Sequence, residues 1–370
     1  MYCDFYSLAE REESMDRFVQ CLIREICLTS GQVGESQYDT IYLGGGTPSL
    51  LTPQQVDSIL STVYESFTVN TQAEITLECN PGEATEAWLR DIHELGINRL
   101  SIGFQSFDPD VLSFLGRRHH REDCFKTYRA ARRVGLENIS ADLLFNIPGQ
   151  SLTDWQYALR TLTDLEPEHI STYSLTVESG TPLYDQVGTG AVVMPSEEED
   201  AAMYGWTREF LPRSGYEAYE ISNFTRANKA CRHNLHYWHI EPYLGFGPSA
   251  HAFDGQRRTW NVHSLDTYMT RLEKGDQPQE GEEMLSPRQK HNEKLAFGLR
   301  LSEGVSVIHD LGYSHVEEFT SRYEERLVQW AGHLLLRGDR LILLEPGIFL
   351  ADTVIGDLIL DEDEADPGGT

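Results

Sequence analysis

The first regular pattern in the chain is a stripe of apolar residues at helical spacing. Met15, Phe18, Val19, Leu22, Ile23 and Ile26 fall at i, i+3, i+4, i+7, i+8 and i+11, one face of an amphipathic helix. Beyond it, short apolar runs alternate with helical stretches. Thr40 to Leu43, Ile75 to Leu77, Leu100 to Phe104, Ile139 to Phe145 and Ile170 to Leu175 read as strands, each followed by a loop and a helix. Thr52-Pro53-Gln54-Gln55 offers a cap, a first-turn proline and a capping-box glutamine, while Gly96 and Gly135 stand where helices should stop. Five such units, about 30 residues apart, predict an α/β fold: a parallel sheet covered by helices, open or curled into a barrel. In such folds the chemistry sits at the carboxyl ends of the strands.

The alternation fades after about Tyr184, and the acidic Ser196 to Asp200 reads as a linker or a helix start. A different pattern begins near Glu283: helices around Gln289 to Leu301 and Val316 to Gly332, then a hairpin-like Arg340 to Leu344, Glu345-Pro346-Gly347 and Ile348 to Leu350. This divides the chain into a barrel core over 1–185, a connecting region over 186–282, a small winged-helix-like unit over 283–360 and an acidic tail over 361–370, expected to be disordered.

Charge narrows the function. Against 30 basic side chains stand 59 acidic ones in 370 residues, a net charge of −29, which argues against a nucleic-acid partner or direct docking on an anionic membrane. With 40% apolar residues the chain can bury a real core. No apolar run approaches the length of a membrane span, and the first residues do not pattern as a signal peptide. Six scattered cysteines fit a reducing compartment, so a cytoplasmic location is expected, with membranes met only through partners.

Candidate chemistry begins at the first strand end, Gly44-Gly45-Gly46-Thr47-Pro48-Ser49. Three glycines let a backbone approach a ligand and present its amides, although a tight strand-to-helix turn would use the same residues. The lysine of a phosphate loop is missing. Later strand ends carry Glu78 with Asn80-Pro81, Gln105 with Arg117 shortly after it, and Asp142. Singly, each reads equally as a cap or a surface charge; together, one polar residue per otherwise apolar strand is how a barrel mouth surrounds a ligand, and a carboxylate pair can hold ribose hydroxyls. Cys3 has no other cysteine within four residues, so spacing alone indicates no metal cluster. The densest constellation is Cys231-Arg232-His233-Asn234-Leu235-His236-Tyr237-Trp238-His239, followed by Tyr243 to His251. Imidazole ligates haem iron and flat aromatic rings pack on a porphyrin, but an aromatic seam between domains with hydrogen-bonded histidines would look the same.

Taken in order, Gly44 to Ser49, Glu78-Cys79-Asn80-Pro81, Gly103-Phe104-Gln105-Ser106-Phe107, Leu115-Gly116-Arg117-Arg118-His119 and Asp142 to Gln150 resemble the radical S-adenosylmethionine proteins of the HemN and HemW group. The resemblance spans nearly the whole chain. It implies a partial (β/α)6 barrel of the TIM type, a [4Fe-4S] cluster at the mouth and a smaller C-terminal winged-helix-like domain. By motif, Gly45, Gly46, Thr47, Glu78, Gln105, Arg117 and Asp142 would hold S-adenosylmethionine, with Tyr2 as the aromatic before Cys3. Cys3 would be the third cysteine of the group's C-x-x-x-C-x-Y/F-C-D-F. The first strand and two cluster cysteines are missing, so the resemblance implies either a longer reading frame or a relative that has lost the cluster, and one thiolate should hold the cluster poorly.

Within the group, one branch decarboxylates coproporphyrinogen III and the other carries haem to respiratory proteins. His233-Asn234-Leu235-His236-Tyr237-Trp238 fits the HNxxYW motif of the haem-carrying branch, and Phe5 stands where the oxidase has a further cysteine. The expectation is therefore a haem chaperone with haem as cargo and haem-accepting respiratory proteins as partners. Coproporphyrinogen oxidase is the alternative. His233, Asn234, Tyr237 and Trp238 are the expected haem-binding residues.

Overall fold

The computed structural model describes residues 12–34, 36–226 and 228–361. Tyr2, Cys3 and most of the acidic tail lie outside them.

The apolar stripe becomes α1 (Met15–Ser30). Five parallel strands then alternate with helices: β1 (Gln37–Leu43), α2 (Pro53–Ser66), β2 (Thr68–Cys79), α3 (Glu86–Glu94), β3 (Arg99–Gln105), α4 (Pro109–Phe114), α5 (Arg121–Arg133), β4 (Ile139–Phe145), α6 (Leu152–Thr163) and β5 (His169–Ser174). The local signals act as their chemistry dictates. Thr52 and Gln55 close a capping box on α2, and Gly96 and Gly135 take φ of +103° and +98° just past α3 and α5, where a side chain would be strained. After α7 (Pro182–Gly188), the acidic run opens α8 (Glu197–Arg213) through a second capping box, Ser196 with Glu199. Then β6 (Glu217–Ala218) and β7 (Asn223–Thr225) pair antiparallel, completing a curled seven-stranded sheet in the order β1-β2-β3-β4-β5-β7-β6.

Register explains how this half-barrel is used. Ile41, Leu77, Ile102, Leu143 and Phe145 point to the helix-covered face and join a core with Leu89, Tyr128 and Trp155. The opposite face alternates with it and is polar along its whole length. It carries Thr40 and Tyr42 on β1, Glu74, Thr76 and Glu78 on β2, Arg99 and Ser101 on β3, Ser140 and Asp142 on β4, and His169 and Ser171 on β5. This corrects the expectation of apolar strands with one polar residue at each end. The two faces of each strand have different neighbours, helices on one and a polar interior on the other.

Across that interior lies α9 (Arg232–Trp238), which holds the histidine and aromatic motif. Next come β8 (His251–Phe253), β9 (Arg257–Asn261), α10 (Leu265–Glu273) and β10 (Gln279–Met284), whose strands form a small antiparallel sheet. Buried Glu25 of α1 fastens this region, accepting from Gly247 N at 2.8 Å, Tyr268 Oη at 2.5 Å and Asn261 Nδ2 at 2.5 Å. Burial pushes its carboxyl up to about 7.

The C-terminal unit has its own core, including Leu295, Phe319, Tyr323, Leu341 and Val354. Its elements run α11 (Pro287–Gly298), β11 (Val305–Ser306), α12 (Val316–Arg322), α13 (Glu324–Gln329), β12 (Leu334–Arg337), β13 (Arg340–Leu343), α14 (Glu345–Ile348) and α15 (Ala351–Leu358), with sheet order β11-β13-β12. Helix, strand, two helices and a two-stranded wing are in keeping with the winged-helix-like unit expected there. Two details differ from the sequence reading. The helix over Val316 to Gly332 is two helices meeting at Tyr323, and the hairpin pairs Leu334–Arg337 with Arg340–Leu343 across Gly338-Asp339. Gly338 takes the positive φ (+63°) that this two-residue turn requires, while Ile348 ends a helix rather than starting a strand.

Candidate functional site

The glycine loop meets β2 through one carboxylate. Glu78 Oε2 accepts from Gly45 N at 3.1 Å, and Glu78 Oε1 accepts from the Tyr42 hydroxyl at 2.8 Å. A Cβ on Gly44 would lie 2.5 Å from the Tyr42 ring and 2.8 Å from the Glu78 carboxyl, so only glycine fits. Gly45, at φ +78°, has open space where a side chain would go. Gly46 is equally open, and Thr47 follows at the loop's end. Burial raises the Glu78 carboxyl above its ordinary range, opposed by the Tyr42 hydrogen bond.

Gln105 at the end of β3 and Arg117 beyond α4 add to this rim, whereas Asp142, expected at a strand end, stands at the middle of β4. Gln105, at φ +62°, folds its amide back over β3, 2.7 Å from where a Gly103 Cβ would stand. Arg117 Nη1 donates to Asn80 Oδ1 at 3.2 Å. Asp142 accepts from Ser101 at 3.0 Å and Ser140 at 3.1 Å, and burial raises its carboxyl too. Just past β4, Asn146 Oδ1 and Gln150 Oε1 are buried acceptors with no partner among the described residues.

Arg99, only 2% exposed, is the cation inside the polar interior, where Glu74 is among the neighbours that hold it charged against the cost of burial. Sequence reasoning passed over it, as it did Tyr42 and Glu74, because a polar residue inside an apolar run shows nothing of what it faces. The alternation Arg99, Ser101, Gly103, Gln105 was the available signal.

The helix α9 docks on β1 and β2 through this same face. Cys231 Sγ and His233 N both donate to Glu74 Oε1, at 3.7 and 3.2 Å, while Arg232 and His236 Nε2 grip Asp39. His233 lies flat on Tyr42, ring centroids 5.0 Å apart, with Nδ1 2.9 Å from Thr40 Oγ1 and Nε2 3.0 Å from the Tyr237 hydroxyl. Burial pushes the His233 imidazole down to about 4, so it is neutral at neutral pH. His236 also meets Glu241, and His239 Nε2 lies 3.9 Å from Glu303. Trp238 packs edge-on against Phe297 of α11, and Tyr237 against Tyr243. The motif therefore does form a seam between barrel and C-terminal unit, with hydrogen-bonded histidines, yet Tyr237 remains 40% exposed.

A continuous path joins the two candidate sets: Tyr237, His233, Tyr42, Glu78 and Gly45, each in contact with the next. Beside it lies a cleft of about 160 Å³ walled by Tyr173, Tyr237 and Trp238, with Asn234 at its side and Glu220 and Asn223 beneath.

Among the described residues no three His, Cys, Asp or Glu side chains converge as metal ligands. The described cysteines are dispersed, and burial pushes Cys124 up to about 12 and Cys231 up to about 11, keeping both protonated. The expected cluster ligand Cys3 and its neighbour Tyr2 lie outside the described residues.

The family described as the Radical SAM superfamily matches residues 1–162. The heme chaperone HemW of Bacillus subtilis (strain 168) is 34% identical over 306 residues, 82% of this chain and 81% of that protein. The mitochondrial radical S-adenosyl methionine domain-containing protein 1 of Danio rerio is 34% identical over 382 residues, 97% of this chain and 84% of that protein. The solved structure of coproporphyrinogen III oxidase (HemN) from Escherichia coli superposes with a TM-score of 0.80 over 95% of this chain and 84% of that one. At 19% identity this is a likeness of fold. With the glycine loop, the polar half-barrel and the α9 motif in one scaffold, and with such identity over most of its length, the chain belongs to the HemW family of radical S-adenosylmethionine proteins.

Proposed function

We propose that this protein is a haem chaperone: it binds haem as cargo over the exposed face of α9 and passes it to haem-requiring respiratory proteins in the cytoplasm or at a membrane they occupy. The observation that carries the reading is the position of the HNxxYW helix, which sets a half-exposed tyrosine at the cleft and a neutral imidazole behind that tyrosine's hydroxyl, while touching the glycine-loop carboxylate through Tyr42. A neutral imidazole is the protonation state that iron ligation requires. His233 Nε2 is held by the Tyr237 hydroxyl, so that hydroxyl must give way for iron to reach it. The cleft, at about 160 Å³, is smaller than the pockets that enclose drug-sized ligands, so the macrocycle would lie over Tyr237 rather than within. The names of the HemW relatives support haem as the cargo.

Membership of the superfamily implies S-adenosylmethionine and a [4Fe-4S] cluster. The residues present suit the first: a loop where Gly44 admits no side chain, exposed Gly45 and Gly46, and unpartnered buried acceptors at Asn146 and Gln150 for a ligand rich in N–H and O–H donors. When bound, S-adenosylmethionine supplies an activated sulfonium carbon. In this assignment Glu78 orients the Gly45 amide, Thr47 closes the loop, Gln105 and Arg117 border the rim, and Asp142 offers a carboxylate between two serines. The described residues do not fit a cluster, for they bring together no set of thiolates.

The test loads the full chain with haem and mixes it with an apo-cytochrome or with haem-depleted respiratory membranes. Transfer should follow the Soret band from donor to acceptor, and coproporphyrinogen III offered to the same preparation should stay unchanged. Retention of haem by the chain in the presence of acceptor, or decarboxylation of coproporphyrinogen III, would overturn the assignment in favour of storage or of the oxidase.

A further inference from the structure

The cleft between α9 and the edge of the sheet has a floor that the described residues satisfy only in part. Glu220 is 2% exposed and Asn223 is 3% exposed. Glu220 Oε2 accepts from Ser222 N at 3.1 Å and Asn223 also bears on this carboxylate, but among the described residues Glu220 Oε1 and Asn223 Oδ1 have no partner of their own. Both orphans are acceptors, and the residues that carry them line the same cleft. Burying an acceptor without a donor is costly, so two at the floor of one cleft mark a place where N–H donors belong.

The walls add a second requirement. Tyr173 and Tyr237, each 40% exposed, and Trp238 present aromatic side chains to the same space. Rings with negative faces around a carboxylate favour a cation over a neutral donor. Among the described residues no Lys or Arg lines the cleft. Arg300, whose charge bears on Glu220, is engaged by Asp352, and Arg208 by Glu345 at 2.5 Å. Two acceptors and a net charge of −29 make the cleft a poor seat for a carboxylate or phosphate, haem propionates included.

We propose that this cleft binds a primary alkylammonium group, whose N–H donors satisfy Glu220 Oε1 and Asn223 Oδ1 while its charge sits among Tyr173, Tyr237 and Trp238. The volume of about 160 Å³ suits such a group on a short alkyl stem. The stem belongs either to a free amine or to a lysine presented by a docked protein. The site stands on the orphaned acceptors and does not depend on haem binding.

The test titrates the full-length chain with n-butylammonium chloride at fixed ionic strength, read by calorimetry and by tryptophan fluorescence. Saturable binding is expected, with no binding of sodium butyrate. Glu220→Gln should weaken it at least tenfold and Tyr173→Leu about threefold. Tyr173 lies on the exposed rim, so its variant keeps the test decisive if circular dichroism shows that Glu220→Gln is misfolded. Tighter binding of the peptide Gly-Lys-Gly than of butylammonium would assign the site to a protein lysine; equal or weaker binding would assign it to a free amine. Absence of saturation, equal binding of butyrate, or wild-type affinity in the folded variants would overturn the proposal. A haem titration of the same preparations keeps its failure separate from failure of the chaperone reading.

Discussion

At the scale of single residues, the glycine loop depends most on Gly44. Its missing side chain lets the Tyr42 ring and the Glu78 carboxyl meet beneath the loop. Gly44→Ala should leave the fold intact, because the loop is exposed, yet displace Glu78 and lower S-adenosylmethionine affinity at least tenfold by equilibrium dialysis. Unchanged affinity would remove Glu78 and its loop from the binding role. Part of this site was legible in the sequence, since Gly44 to Thr47, Glu78 and Gln105 stand at strand ends, where parallel α/β folds gather ligands, whereas Arg117 lies beyond α4 and Asp142 at the middle of β4. Tyr42 and Arg99 were not. Their importance comes from partners that only pairing of the strands brings near, His233 and Glu78 for the first and Glu74 for the second.

At the scale of elements, α9 is too short to be stable alone and owes its place to β1, β2 and α11. Asp39 holds its N-terminal turn and its middle at once, through Arg232 and His236. These groups are partly exposed, so losing the carboxylate should cost only about 1 kcal/mol of global stability. Asp39→Asn should nonetheless loosen α9 and weaken haem binding severalfold while S-adenosylmethionine affinity stays at the wild-type value. Equal loss at both sites would show that the variant acts through the barrel instead. The strands and helices of the barrel were readable from period and caps because each unit is local. The wing was misread because Gly338-Asp339, a short turn between two apolar runs, competes with the more conspicuous Glu345-Pro346-Gly347. In the structure the proline starts a helix, as a proline in a first turn can.

At the scale of the whole molecule, buried neutral histidines tie stability to pH. Burial pushes His233 and His291 down to about 4, and His169 further down. Above about pH 6.5 folded and unfolded chains are both neutral at these sites; below it only the unfolded chain takes the proton. Stability should therefore fall as pH drops from about 6.5 toward 4, by about 2 kcal/mol per such histidine at pH 5. Urea midpoints at pH 7.5 and 5.0 check this, and His233→Ala should flatten the dependence. A slope unaltered by that substitution would mean that His233 titrates normally.

The central claim, that α9 is the haem seat, is tested most directly by titrating the full chain with haem and following the Soret band in wild type, His233→Ala and Tyr237→Phe. The account predicts saturable binding near one haem per chain, weakened at least tenfold by His233→Ala with a changed spectrum. In Tyr237→Phe, where the hydroxyl no longer occupies Nε2, it predicts equal or tighter binding with the wild-type spectrum. Identical isotherms and spectra for wild type and His233→Ala would contradict it.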